Sequence, residues 1–274
     1  MLSTRNLTIS YIRPSHLVSF IFLIVIGFSA PVTAAEFKDG VRAYRLGDYA
    51  TALTVLKPLA DRGDPDSQNL LGWIYSSEGK GWTKDIQKAS IWFRKSAEQG
   101  NAKAQFNLGK MFLTGKEIGR NFSKAAYWFS KASEQGSQGA QYYLARLYEV
   151  GAGVPKDEEK AARLWKNLAE HGWAIAQYET GKNYRKGRGV PKDLVSAHMW
   201  ADLAARSGRN EPANDLLQLV TRHMSPEQIR DANHLAEKWS PKAIDLNSRD
   251  MEVQYQFTDP SGKAEPGVKI NLPF

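Results

Sequence analysis

Cysteine is absent from this chain of 274 residues. Its absence excludes disulfides, thiolate zinc sites, iron–sulfur clusters and a cysteine nucleophile. The remaining composition, 42% hydrophobic and 24% charged, is typical of a water-soluble globular protein and excludes collagen-like, fully disordered and polytopic membrane chains. The fold must therefore be held by packing alone, without covalent cross-links.

Catalytic signatures are also missing. The sequence contains no His-Glu-x-x-His, no Gly-x-Ser-x-Gly and no glycine loop ending in Gly-Lys-Ser/Thr. The histidines beyond residue 35 have no metal-ligand spacing; they are His171, His198, His223 and His234. The sequence thus predicts no catalytic residue, no cofactor and no metal site.

Dense runs of positive charge are lacking as well. The net charge is +8, and the richest basic stretch is only Arg185-Lys186-Gly187-Arg188. Arg5 and Arg13 lie in an N-terminal segment that we expect to be removed, which lowers the net charge to about +6. Together with the export predicted below, this argues against a nucleic-acid partner.

One long apolar run exists, from Leu17 to Ala30. It follows a basic start and precedes small residues, and these three parts characterise a secretory signal peptide, here residues 1–35. Cleavage after Ala34 and cleavage after Ala35 fit equally. The alternative is a retained anchor, but the 14-residue run is shorter than the roughly 20 residues a spanning helix needs. We expect a periplasmic or secreted protein with no membrane span after cleavage.

A 36-residue period organises the rest of the chain. Fixed-period repeats of this length indicate stacked helical units. The period divides the chain into a divergent leading pair of helices at 36–64, repeats at about 65–100, 101–136, 137–172 and 173–208, and capping helices at 209–240. The residues that recur in register are glycines at 100, 136, 172 and 208, alanines at 89, 125, 161 and 197, and Asp or Asn at 85, 121, 157 and 193.

Each repeat is predicted to contain two helices. In the second, apolar side chains follow helical spacing from Ala89 through Trp92 and Phe93, and Trp92, Trp128 and Trp200 are expected to be structural. The Asp or Asn four residues earlier is suited to an N-cap, and the closing glycine to a left-handed C-terminal position. In the first helix, a small residue recurs near the middle, at Gly72 and its equivalents. Because glycine is costly there, its recurrence predicts a close helix crossing.

The motifs Ala104-Gln105-Phe106-Asn107-Leu108-Gly109 and Gly151-Ala152-Gly153-Val154-Pro155-Lys156-Asp157 resemble the Sel1-like repeat, a relative of the tetratricopeptide repeat. Leu164 in place of Trp and the altered turn at 115–119 are departures from that pattern. The resemblance implies an all-α fold, an α/α solenoid wound as a right-handed superhelix. It also implies a non-enzymatic scaffold for another protein, such as the periplasmic regulators that hold the sensing domain of an envelope histidine kinase.

A solenoid of this kind is expected to bind its partner, as a monomer, on the face lined by the first helices. Basic and aromatic groups there suit an acidic or aromatic peptide. Three ladders point to that face: Trp73, Lys110, Arg146 and Lys182; Asn69, Phe106, Tyr142 and Tyr178; and Leu70, Asn107, Tyr143 and Glu179. The partner-binding candidates are Trp73, Phe106, Lys110, Tyr142, Tyr143, Arg146, Tyr178 and Lys182. The alternative is that Phe106, Tyr142 and Tyr178 pack between repeats.

Two other functions remain open. One is a secreted factor that engages host cells; the other is a cell-wall enzyme or glycan-binding protein, which would need paired carboxylates facing each other across the groove. Residues 241–274 alternate between apolar and polar in two stretches, which predicts strands and a candidate β-hairpin. Such a segment is either a flexible tail, since a lone hairpin is marginal in water, or a strand that joins a partner's sheet.

Overall fold

The computed structural model describes residues 34–79, 82–115, 118–207 and 211–242. Within them all the regular elements are α-helices, as predicted. They are α1 Ala34–Arg45, α2 Tyr49–Asp61, α3 Pro65–Ser76, α4 Ile86–Glu98, α5 Ala102–Thr114, α6 Phe122–Glu134, α7 Gln138–Val150, α8 Glu158–Glu170, α9 Ala174–Lys186, α10 Leu194–Arg206, α11 Glu211–Thr221 and α12 Pro226–Lys238. From α1 to α11 each helix packs mainly on its neighbours in sequence, which is the arrangement of a helical-repeat solenoid, whereas α12 packs on α10.

Side chains cap the second helix of every repeat. The Asp85 carboxylate accepts the backbone N–H of Lys88 at 2.9 Å, and Asn121 and Asp157 do the same three residues ahead, at 2.8 and 2.9 Å. Each satisfies an N–H that has no partner within its own helix. The predicted N-caps are therefore confirmed, including Asp193, which accepts from Val195 and Ser196.

Glycine ends these helices where a left-handed backbone is required. Gly100, Gly136 and Gly172 have φ of 90°, 89° and 88°, a region that side chains with a Cβ avoid. Gly208 lies outside the described residues.

The small residue in the first helix marks a close crossing, as its recurrence predicted. A Cβ on Gly72 would lie 2.5 Å from the Phe93 ring, and one on Gly109 would lie 2.6 Å from the Phe129 ring. Each glycine thus lets the aromatic ring of the second helix rest directly on the backbone of the first. The residue pattern therefore reflects helix packing within one repeat.

A recurring glutamine connects the first and second repeats to the helix before each of them. Gln68 Nε2 donates to the carbonyl of Ala60 at 3.0 Å, and Gln105 Nε2 donates to that of Ala97 at 3.2 Å. Gln99 and Gln135 in turn donate to the side-chain oxygens of Gln68 and Gln105 at 2.7 and 2.8 Å. These glutamines thus satisfy buried polar groups at those two junctions, whereas Gln141 Oε1 in the third repeat accepts no hydrogen bond from any described residue.

The described part of the chain ends with the capping helices α11 and α12. Ser225 and Gln228 form a reciprocal capping box, with Pro226 in the first turn, as the sequence suggests. Trp239 then stacks edge-on against Trp200, and Lys242 pairs with Glu170 at 2.5 Å. The predicted signal peptide, apart from its last two residues, and the tail beyond Lys242 lie outside the described residues.

Candidate interaction surface

The four residues of the ladder that begins at Trp73 are all half-buried and lie on α3, α5, α7 and α9. Together with Tyr142 and Tyr178, which are also half-buried, we call it the first-helix strip. Its members are Trp73, Lys110, Tyr142, Arg146, Tyr178 and Lys182. These six candidates therefore present polar or aromatic surface on the first helices.

Two of the predicted binding residues, Phe106 and Tyr143, are not part of this surface. Each exposes only 3% of its surface. Both rings pack against Phe129, with centroids 6.0 and 5.1 Å away, and 5.9 Å from each other. The expectation that these two side chains face an open groove is wrong, because they fill the junction between the second and third repeats.

At the α3–α5 end, the strip contains an open pocket of about 190 Å³, which we call the Trp73 pocket. Trp73 and Lys110, predicted from the same ladder, lie on its wall together. Its lining is Trp73, Ser76, Ile86, Phe93, Asn107, Lys110, Met111 and Thr114. The walls are thus mostly apolar, with one ammonium group, one amide and two hydroxyls.

The amide of Asn107 is unusual among the lining groups. The residue is 3% exposed, and its Nδ2 donates to Asn69 Oδ1 at 3.1 Å. Its Oδ1 accepts no hydrogen bond from any described group, whereas buried polar atoms are normally paired. By contrast, the hydroxyls of Ser76 and Thr114 donate to carbonyls of their own helices.

At the α7–α9 end, the basic side chains of the strip form ion pairs with carboxylates of the same helices. We call the residues involved the Glu149 cluster; they are Arg146, Glu149, Trp165, Glu179 and Lys182. Arg146 Nη1 lies 3.4 Å from Glu149 Oε2 and 4.0 Å from Glu179 Oε1. Lys182 Nζ lies 2.5 Å from Glu179 Oε2, and Trp165 Nε1 donates to Glu149 Oε1 at 2.9 Å. Two cations and two carboxylates thus neutralise one another.

The environment shifts the ionisation of this cluster. Burial raises the pKa of Glu149, and the nearby carboxylate of Glu179 raises it further, while Arg146 and Trp165 act in the opposite direction. Burial likewise raises the pKa of Tyr142, whose ring meets Trp165 edge-on at 5.4 Å. Because removal from water disfavours charge, the ionised form of Glu149 is held at a cost in stability.

Sequence reasoning missed Glu149 and did not select Asn107 or Glu179 from the third ladder. For Glu149 the available signal was its position three residues after Arg146 on one helix, a spacing that allows an ion pair. For Asn107 no local signal exists, because its partner Asn69 is one repeat away.

A second pocket, of about 500 Å³, lies between α10, α11 and α12 and is lined by His198, Asp202, Leu217, Gln218, Thr221, Arg222 and Asn233. Burial lowers the pKa of His198, which keeps its imidazole neutral near pH 7. Among the described residues, no group of three or more His, Asp or Glu is placed to hold a metal ion. Nor is any described helix long and apolar enough to cross a membrane.

The fold and this surface define an α-helical repeat protein. The Sel1 repeat profile matches residues 65–101, 102–137, 139–173 and 174–208. This chain belongs to the Sel1 repeat family, as its motifs predicted.

Solved structures agree with that assignment. The chain is similar to c5321, a protective antigen present in uropathogenic Escherichia coli with an SLR fold (30% identity, TM-score 0.63, 77% of this chain and 50% of that one). It is also similar to a Sel1 repeat protein from Oxalobacter formigenes (27% identity, TM-score 0.60, 80% of this chain and 99% of that one). The chain spans about half the length of the E. coli protein. No curated protein matches it.

Proposed function

We propose that this chain is a non-enzymatic scaffold of the bacterial envelope that binds one partner protein along the first-helix strip and thereby regulates an envelope signalling system. Sel1 repeat proteins generally mediate protein–protein interactions, and this is the general role of the family to which the chain belongs. The envelope location rests on the signal-peptide pattern of residues 1–35.

The observation that carries the proposal is the strip itself. Side chains from four successive first helices present basic and aromatic groups in register, and aromatic and Arg side chains are enriched at protein interfaces. Lys182 Nζ lies 4.9 Å from the Tyr178 ring centre and Lys110 Nζ lies 5.6 Å from that of Phe106. Each cation is thus held near an aromatic ring.

The structure determines which residue should be altered to test this. Reversing the charge of Arg146 or Lys182 would place like charges beside Glu149 and Glu179 and would damage the fold as well as the surface. Lys110 lies instead on the wall of the Trp73 pocket, so Lys110→Glu changes the surface with far less effect on packing.

We would place a photo-crosslinking amino acid at position 110 of the full chain in intact cells and identify adducts by mass spectrometry. A single protein partner is expected, and Lys110→Glu in a pull-down should weaken its binding at least about tenfold, because it replaces attraction by repulsion. The matched control is a crosslinker at Lys131 on α6, whose half-exposed side chain pairs with Glu134. Equal capture from both positions would overturn the strip as the binding surface.

The envelope location needs its own measurement. Cell fractionation and N-terminal sequencing of the natural protein should give a periplasmic chain that begins at Ala35 or Glu36. Recovery from the culture medium would favour the alternative of a secreted host-interaction factor. That alternative is supported by the description of the similar E. coli protein as a protective antigen.

The enzyme alternative required paired carboxylates that face each other across the groove. Glu149 and Glu179 are two carboxylates that both lie within 4.0 Å of Arg146 Nη1. However, Arg146 lies between them and Lys182 holds Glu179, as in a structural ion-pair network. We therefore expect the purified chain to release no soluble fragments from isolated cell-wall material. Fragments that disappear in the Glu149→Gln variant would support the enzyme.

A further inference from the structure

The end of α9 and the turn that follows it carry three cations, which we call the Arg188 patch: Arg185, Lys186 and Arg188. Lys186 and Arg188 are exposed, and Arg185 is half-buried. The three lie close enough to repel one another. The pKa of Lys186 is lowered first by the charge of Arg188, then by burial and by the charge of Arg185. The patch is thus a concentration of like charge at the surface.

The fold does not neutralise this charge. None of the three cations forms an ion pair with a described carboxylate, and two carboxylates that act on them at longer range are engaged elsewhere. Glu158 pairs with Lys156 at 2.7 Å, and Glu179 pairs with Lys182 at 2.5 Å. The Nε–H of Arg185 is buried without a hydrogen-bond acceptor, so no group of the fold compensates this guanidinium there.

Helix-end stabilisation accounts for only part of the patch. Arg185 and Lys186 lie in the last turn of α9, where cations interact favourably with the unpaired carbonyls. Arg188 lies beyond Gly187, at which the helix ends. The positions 36 residues earlier, in the third repeat, hold Glu149, Val150 and Ala152. The repeat fold therefore does not require three cations at this place.

The turn that presents Arg188 is held firmly by the rest of the structure. The backbone N–H of Arg188 donates to the carbonyl of Asn183 at 3.0 Å. Gly189 has a φ of 65°, and a Cβ at this position would collide with the carbonyl oxygen of Glu158, so the turn rests directly on α8. A fixed backbone loses less conformational entropy when a ligand binds.

The arrangement of the three charges favours an extended anionic segment. Arg185 and Lys186 are consecutive, so they point about 100° apart around the helix, and Arg188 lies outside it. Such spread charges suit a row of separate carboxylates better than one phosphate group. Lys182, the last member of the first-helix strip, precedes Lys186 by one turn, and its charge acts on Lys186. A chain bound along the strip would therefore reach the patch.

An anionic membrane matches the patch less well. Basic clusters that recognise anionic lipids carry about four to eight Lys or Arg residues, which is more than the three present here. No large apolar side chain between positions 182 and 193 is exposed, so the region offers nothing to insert among lipid chains. The continuity with the strip therefore decides in favour of a protein segment.

We propose that the Arg188 patch binds an acidic segment of the partner protein that continues beyond the first-helix strip, with carboxylates of that segment pairing with Arg185, Lys186 and Arg188. This inference rests on the proposed function. It adds the chemical class of the segment and the point at which that segment leaves the strip.

The first test places a photo-crosslinking amino acid at position 188 of the full chain in intact cells. It should capture the same protein as position 110. Mass spectrometry of the crosslinked peptide should locate the attachment in a segment with at least about three Asp or Glu among six residues. Attachment to a segment without clustered acidic residues would overturn the proposal.

The second test compares two double variants that each remove two exposed cations. Lys186→Gln with Arg188→Gln alters the patch, and Arg163→Gln with Lys166→Gln on α8 is the control. The probe is fluorescein-labelled (Asp-Glu)3-amide at low salt. Binding should weaken at least about fivefold in the patch variant and less than about twofold in the control. Equal weakening would mean that only net charge is recognised and would overturn the patch.

Stability provides a check on the patch variant. Because it removes repulsion between like charges, its free energy of unfolding in urea should not be lower than that of the natural chain. A clear loss of stability would show that Lys186 and Arg188 serve the fold, and it would contradict a binding role.

The remaining outcomes separate this proposal from the broader one. A partner captured from position 110 but not from position 188 would overturn the patch and leave the scaffold function standing. Patch-dependent peptide binding without any partner captured in cells would support the patch and contradict the scaffold role. Patch-dependent binding to phosphatidylglycerol vesicles without peptide binding would assign the patch to a membrane and overturn the proposal.

Discussion

The two ends of the first-helix strip are built on the same repeat position but have different environments. Lys110 lies on the wall of an open, mostly apolar pocket, whereas Arg146, 36 residues later, lies between two carboxylates. The difference comes from neighbours, since Glu149 and Glu179 supply charge at one end and Met111 and Ile86 supply apolar surface at the other. Equivalence in a repeat therefore defines where a side chain lies, while its role depends on what surrounds it.

The largest expected contrast is between the tryptophans of the two ends. Trp165, a member of the Glu149 cluster, is fully buried, so Trp165→Ala should lower the free energy of unfolding by about 3–5 kcal/mol. Trp73 is half-buried on the pocket wall, so Trp73→Ala should cost less than half as much. Urea unfolding followed by circular dichroism measures both. Similar losses would mean that Trp73 is a core residue and the pocket is not a free surface.

The next contrast concerns the two cations. Arg146→Met leaves partly buried carboxylates with one fewer partner and should cost about 1–2 kcal/mol, an amount reduced by the partial exposure of the Arg146 side chain. Lys110→Met should change the unfolding free energy by less than about 0.5 kcal/mol, as is usual for surface substitutions. Thermal unfolding at low and high salt tests this. The stability difference between Arg146→Met and the natural chain should persist at high salt, because salt screens partly buried charges less than exposed ones.

The smallest effect is the pH dependence of the Glu149 cluster. The folded state raises the pKa of Glu149, so the ionised carboxylate costs stability at neutral pH. This cost declines as the pH falls through the raised pKa and is gone below the unfolded value. Glu149→Gln should therefore be at least as stable as the natural chain near pH 7. Its advantage should shrink on acidification to about pH 4.

Melting temperatures of both proteins between pH 4 and pH 7.5 give the comparison. An advantage of the variant that grows on acidification would show that ion pairing with Arg146 outweighs burial. The control is Lys110→Met, a substitution outside the Glu149 cluster, whose difference from the natural chain should not follow the same pH range.

The residue pattern predicted most of the architecture because its rules act over short distances. Asp85 caps a helix through the N–H of Lys88, three residues away, and Gly100 closes that helix through its own φ. The glycine at Gly72 signalled a close contact, and the Phe93 ring lies there. Each of these features is contained within one repeat, which is why the repeat period of the sequence reveals it.

The candidate surface was predicted less completely because exposure depends on neighbouring repeats. Phe106 and Tyr142 occupy equivalent ladder positions, yet Phe106 is buried and Tyr142 is half-buried. The aromatic residues of the second helices that are fully buried are Phe129 and Trp165. In the register of the repeat, both occupy the position that directly follows the one held by Trp92 and Trp128. Trp128 is only half-buried, so the sequence alone does not rank these side chains.

The sequence by itself determined that each repeat contains two helices, where the second helices are capped, and the family of the chain, because periodicity, capping and glycine conformation are local. Only the tertiary structure decided that Arg146 and Lys182 are neutralised by Glu149 and Glu179 and that Trp73 and Lys110 share an open pocket. Arg146 and Glu179 lie on different repeats and meet only when α7 and α9 stack. Which charges remain available to a partner is therefore a property of the stacked array.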